Sequence, residues 1–125
     1  MIIFDTSPPS PGYDSTRFNK EHEHCFNFLK KAISESKAKH IIVVTHHVPS
    51  EFLTDPAFKD SKINGAFTVE LFDFISENPI EYWIYGHSHR NIDRIIGHTK
   101  CLFNQLGYVS LGEHLSFDTG KMIEI

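Results

Sequence analysis

Two short apolar runs, each ending in a histidine cluster, do most to limit what this chain can fold into. Ile41-Ile42-Val43-Val44 leads into Thr45-His46-His47-Val48-Pro49, and Tyr82-Trp83-Ile84-Tyr85 leads into Gly86-His87-Ser88-His89. A continuous β-branched run without polar alternation belongs to a strand buried on both faces, which is the habit of parallel sheets in α/β proteins. In open α/β sheets, ligands collect beyond the carboxyl ends of such strands. Both histidine clusters fall at such ends, so one site assembled from two loops is expected. Imidazole serves there as a metal ligand or as an acid–base group near neutral pH.

The surrounding pattern agrees with an α/β chain. Phe18, Cys25, Leu29, Ala32 and Ile33 recur at intervals of three and four, giving one apolar face to a helix over about 18–36. His22 and His24 lie two apart on that helix, about 200° around it, so they cannot share an ion and are expected to face solvent. A second helix is expected over 66–77, with Phe67, Leu71, Phe74 and Ile75 as its stripe and Asn78-Pro79 as its stop. Residues 5–16, with three prolines and a glycine, read as irregular chain. Strands are expected at 41–45 and 82–85. Four short antiparallel strands are expected after them, at 92–96, 100–103, 108–111 and 122–125, with Gly97 and Gly120 in the turns. The expected fold is thus a mixed sheet ending in an antiparallel meander.

Composition narrows the function. With 125 residues, 40% of them hydrophobic and eleven of them phenylalanine, the chain is one domain with enough apolar material for a core. A formal charge of −4 without a basic stripe argues against nucleic acid. No apolar stretch approaches the roughly 20 residues of a membrane span, and the N-terminus lacks signal-peptide features. Cys25 and Cys101 have no metal-type spacing and read as free thiols, in keeping with a cytoplasmic location. Nine histidines are the compositional oddity.

Gly86-His87-Ser88-His89 carries the strongest chemical signal. Glycine allows a sharp turn off the strand. Histidines at i and i+2 of an extended segment project to one side, which suits a pair of ions about 3.5–4 Å apart. Of the adjacent His46 and His47, only one can point into a given site, because side chains alternate along a strand.

On these residues the chain resembles the C-terminal half of the calcineurin-like metallophosphoesterases. Val43 to Pro49 and Tyr85 to His89 carry the resemblance, and Asn104-Gln105-Leu106-Gly107-Tyr108 is similar to the Asn-Pro-x-Gly-Tyr segment that often follows the second histidine motif. The resemblance implies part of a β-sandwich flanked by helices. It also implies a dinuclear centre of divalent ions (manganese, iron, zinc or similar), with His46 and His87 on one ion and His89 on the other. His47 and Asn104 become candidate substrate or supporting contacts. The implied reaction is hydrolysis of a phosphomonoester or phosphodiester by a metal-bridging hydroxide.

The family's Asp-x-His, Gly-Asp-x-x-Asp and Gly-Asn-His segments are absent, and with them the bridging aspartate and the general-acid histidine. Asp5, Asp14, Asp93 and Asp118 are the carboxylates left to consider, and their spacing recommends none of them. This chain alone is therefore expected to be a partial domain, inactive or feeble, with a non-catalytic interaction scaffold of the same fold as the alternative. The missing half would leave the strands at 41–45 and 82–85 with an apolar edge or face. A homo-oligomer, or association with an N-terminal half, is the expected consequence.

Overall fold

A computed structural model describes residues 2–3, 15–55 and 68–125. It is an α/β structure with one mixed sheet. The elements in chain order are β1 (Ile2–Ile3), α1 (Ser15–Glu35), β2 (Ile42–Val44), a 3-10 turn (Glu51–Leu53), α2 (Phe72–Glu77), β3 (Tyr82–Tyr85), β4 (Arg94–Ile96), β5 (Thr99–Phe103) and two further 3-10 turns (Val109–Leu111 and Glu113–Ser116). No helix among the described residues is long and apolar enough to cross a membrane.

The sheet runs β1-β2-β3-β5-β4. β1, β2, β3 and β5 are mutually parallel neighbours, and only β4 runs antiparallel, against β5. β3 lies at the centre, which is why Tyr82, Trp83 and Tyr85 are all buried. Val43, Trp83 and Cys101 sit side by side in register across three strands, each fully buried. Trp83 lines one cavity with Cys25 and Leu29, so α1 covers this face of the sheet. Leu29 and Ile33 are the buried residues of the helix's apolar face.

Several expectations need correction. The helix expected over 66–77 begins only at Phe72, and its first two expected residues, Ala66 and Phe67, lie outside the described residues. Val69 and Leu71 donate their backbone N–H groups to the carbonyls of Val48 and Pro49, 2.9 Å each, so this segment is extended along the β2 exit. Phe72 N–H is then capped by Glu70 Oε1 at 2.9 Å. The same carboxylate accepts from Ser50 Oγ and from Glu51 N–H.

Of the four-strand antiparallel meander only the first two strands form, close to the bounds expected at 92–96 and 100–103. β4 and β5 form a hairpin through Gly97 and His98, with Gly97 at φ 59, a backbone that glycine adopts without strain. Residues 109–111 form a 3-10 turn, and 122–125 carry no strand. Nor do β2 and β3 present an edge, because β1 and β5 pair with their outer sides. Of the irregular segment expected over 5–16, residues 5–14 lie outside the described residues, and 15–16 belong to α1.

Candidate functional site

The parallel pairing of β2 with β3, Val44 opposite Ile84, brings the two strand exits side by side. Gly86 N–H donates to the His46 carbonyl at 3.1 Å and ties the two loops together just beyond the last paired residues. His46, His47 and His87 then gather into a triangle. Their ring centroids are 5.2 Å apart for His46 and His47, 4.7 Å for His46 and His87, and 5.0 Å for His47 and His87. His46 Nε2 and His87 Nδ1 are 2.8 Å apart, so one of the two donates a proton that the other accepts.

A half-buried relay fixes the β2 exit. The indole N–H of Trp83 donates to Thr45 Oγ1 at 3.0 Å, and that hydroxyl donates to the His47 carbonyl at 3.1 Å. His47 also meets the edge of Phe18 from α1, with centroids 5.8 Å apart. Sequence patterning alone marked Trp83 only as a strand residue and Phe18 only as part of a helical stripe.

His87 and His89 do not project to one side as an extended segment would require. Both have left-handed backbones, φ 74 and φ 52. Ser88 N–H bonds back to the Gly86 carbonyl at 3.0 Å, closing a three-residue turn of γ type centred on His87. Side chains in that conformation diverge. His87 swings to the β2 exit, and His89 turns to Glu113, Nδ1 to Oε2 3.1 Å, and to Tyr108, ring centroids 4.8 Å. Non-glycine residues held at positive φ cost roughly 1–3 kcal/mol each and persist where the surroundings fix them. The positive φ thus falls on His87 rather than on Gly86.

Glu113 is a second residue that patterning missed. Its Oε2 also accepts the Tyr108 N–H, and Gly107 at φ 62 leaves room for it: a side chain there would come within 2.7 Å of Glu113. The Asn104 side-chain amide exchanges two hydrogen bonds with the backbone of Asp118, at 2.8 and 3.0 Å. Asp93 is bound to Lys121 and to the Phe103 N–H. Asp5 and Asp14 lie outside the described residues. His24 is exposed as expected, but His22 is half-buried, stacks on Phe26 and lines the cavity under α1.

Burial first, and crowding by neighbouring rings second, favour the neutral form of His47 and His87. Burial, then the neighbouring His47, His46 and His89, pushes His87 down to about 4. Burial also lowers His47, helped by His46 and His22. Neutral imidazole is the form that binds metal. Two imidazole nitrogens at about 2.0–2.1 Å from one tetrahedral ion stand about 3.3 Å apart, so the 2.8 Å pair is about half an ångström too close as it stands. Among the described residues, no group of three or more His, Cys, Asp or Glu side chains is arranged to hold an ion. By this test the donor set fits two positions on a metal and not a complete sphere.

No family model matches the chain, and no solved structure matches it. It is similar to the uncharacterized protein L509 of Acanthamoeba polyphaga mimivirus, 32% identical over an alignment of 103 positions that covers 76% of this chain and 35% of the viral protein. The likeness assigns no chemistry. The chain spans about a third of the length of this relative.

Proposed function

We propose that this chain carries the histidine half of a metal-dependent phosphoesterase site of the metallophosphoesterase type. The observation that supports it is the 2.8 Å approach of His46 and His87 from the ends of two adjacent parallel strands. In this reading His46 and His87 share one divalent ion. His89 belongs to a second, with Glu113 on its Nδ1 setting its orientation, as a carboxylate commonly does for a metal-bound imidazole. When bound, such ions supply charge neutralisation at the phosphoryl oxygens and an activated water. The chain's own residues do the positioning. Trp83 and Thr45 hold the His47 backbone, the turn at His87 aims its ring at His46, and burial with neighbouring rings favours the neutral form of His87. The carboxylates that complete such a centre would come from polypeptide other than the described residues.

Native mass spectrometry of the chain with manganese or zinc tests this directly. Weak, saturable uptake is expected, as befits an incomplete donor set, and it should weaken further in His46→Ala and His87→Ala by at least the roughly 10–100-fold that changes in a ligand's supporting residues cost. Both variants should stay folded, because the rings sit on loops. No uptake by the unaltered chain, or uptake indifferent to both substitutions, would overturn the assignment.

A second reading, an interaction scaffold without catalysis, is favoured by one observation. Leu111, Leu115, Met122 and Ile125 are exposed along the C-terminal stretch. Sedimentation of the metal-free chain distinguishes a self-associating scaffold from a monomer.

A further inference from the structure

Beside the histidine triangle, between α1 and the β2 exit, lies a partly open cavity of about 130 Å³. Its wall is mostly apolar: Cys25 and Leu29 from α1, Val69 and Leu71 from the extended segment, and Trp83 from β3. Its polar groups include His46 and His47, which belong to the candidate site. Most of this wall offers no hydrogen bond, and an apolar cavity of ~150 Å³ accommodates benzene.

We propose that this cavity seats an aromatic or short branched alkyl group, so that the ligand of the site is a phosphoester of such a group rather than inorganic phosphate. The apolar half of this proposal rests on the cavity alone. The phosphoryl half rests on the function proposed above. His46 and His47 are common to both sites, so one ligand can span them, with its apolar group against Trp83 and its anionic end at the imidazoles. Binding in chelator depends on the cavity alone and binding with manganese on both, which separates the two halves experimentally.

Trp83 is the chain's single tryptophan, so its fluorescence reports on this cavity without interference. Benzene and phenyl phosphate are each titrated into the unaltered chain in chelator, and phenyl phosphate again with manganese. Saturable changes in emission with both compounds are expected, and none with inorganic phosphate. Cys25→Leu, which fills the space, should weaken benzene binding about tenfold or more, equivalent to roughly 1.4 kcal/mol. Leu115→Ser, at an exposed position outside the cavity wall, should leave benzene binding unchanged. Intermolecular nuclear Overhauser contacts from bound benzene to the methyl groups of Leu29 and Val69 provide a check that needs no substitution.

Absence of saturable benzene binding, or of those contacts, would overturn the proposal. So would an equal response to inorganic phosphate. Benzene bound normally but no metal taken up would uphold the cavity and tell against the phosphoesterase reading instead.

Discussion

The sheet face under α1 and the C-terminal stretch 104–125 are held in place by different physics. Under α1 the contacts are apolar and buried: Val43, Trp83 and Cys101 are each 0% exposed, and Leu29 and Ile33 lie among the core residues. Along 104–125 the apolar side chains face outward, with Leu111 72% and Leu115 82% exposed. Polar pins hold that stretch instead. Asn104 clasps the Asp118 backbone, Asn91 bonds Gln105 and Ser116, Lys121 reaches Asp93 and the Phe103 carbonyl, and Tyr82 OH donates to the Glu124 carbonyl. The first region draws its stability from burial and the second from a handful of directed bonds. The candidate site lies where they meet: the triangle of His46, His47 and His87 on the packed side, and His89 with Glu113 on the pinned side.

Substitutions can break that contrast, and the largest effect belongs to the packed side. Trp83→Ala should cost about 3–5 kcal/mol, through a core void together with the loss of its bond to Thr45. Urea unfolding measures this, and a loss below about 1 kcal/mol would mean that the α1 face is not the stabilising one. Asp93→Ala should cost less, about 1–3 kcal/mol, because it removes a partner from the Phe103 N–H and from Lys121. Amide exchange should quicken at Phe103 and along 104–125 while Val43 and Trp83 stay protected.

Acid provides a graded test of the triangle. The folded chain holds His87 at about 4 against its ordinary 6.5, and His47 is lowered too, so between these values the unfolded chain binds more protons. Their contribution to stability is therefore complete above pH 6.5 and is lost as pH falls toward 4. A urea midpoint that declines over this window is expected, with a shallower decline in His87→Ala. A midpoint that rises on acidification would contradict the crowded, neutral geometry. The smallest effect is expected at Leu115→Ser, within about ±0.5 kcal/mol, as for a surface position. A larger loss would show that this side chain is covered in solution.

The same contrast explains what patterning made legible. The helix period of Leu29 and Ile33, and the unbroken apolar runs at 41–44 and 82–85, follow from burial, and burial leaves a mark in composition. Both strands and the first helix were accordingly found within a few residues. Residues 108–111 and 122–125 carry enough apolar side chains to look like strands, yet their order comes from amide and carboxylate bonds to distant backbone groups. No local pattern records those. The segment 68–71 misled for a related reason: Leu71 continues the helical stripe, but the carbonyls of Val48 and Pro49 claim the N–H groups that a helix would use.

The histidine site divides along the same line. That His46, His47, His87 and His89 sit at strand ends was legible, because apolar runs locate strands and glycine and proline locate exits. Which rings converge was not. The sequence by itself determined an α/β chain with two histidine-bearing strand exits, since hydrophobic period and turn chemistry are local properties. The tertiary structure alone decided that β2 and β3 are parallel neighbours, that left-handed turns send His87 to His46 and His89 to Glu113, and that α1 leaves an apolar space beside them. Register, backbone handedness at two histidines, and the fit between a helix and a sheet all depend on contacts between residues far apart in the chain.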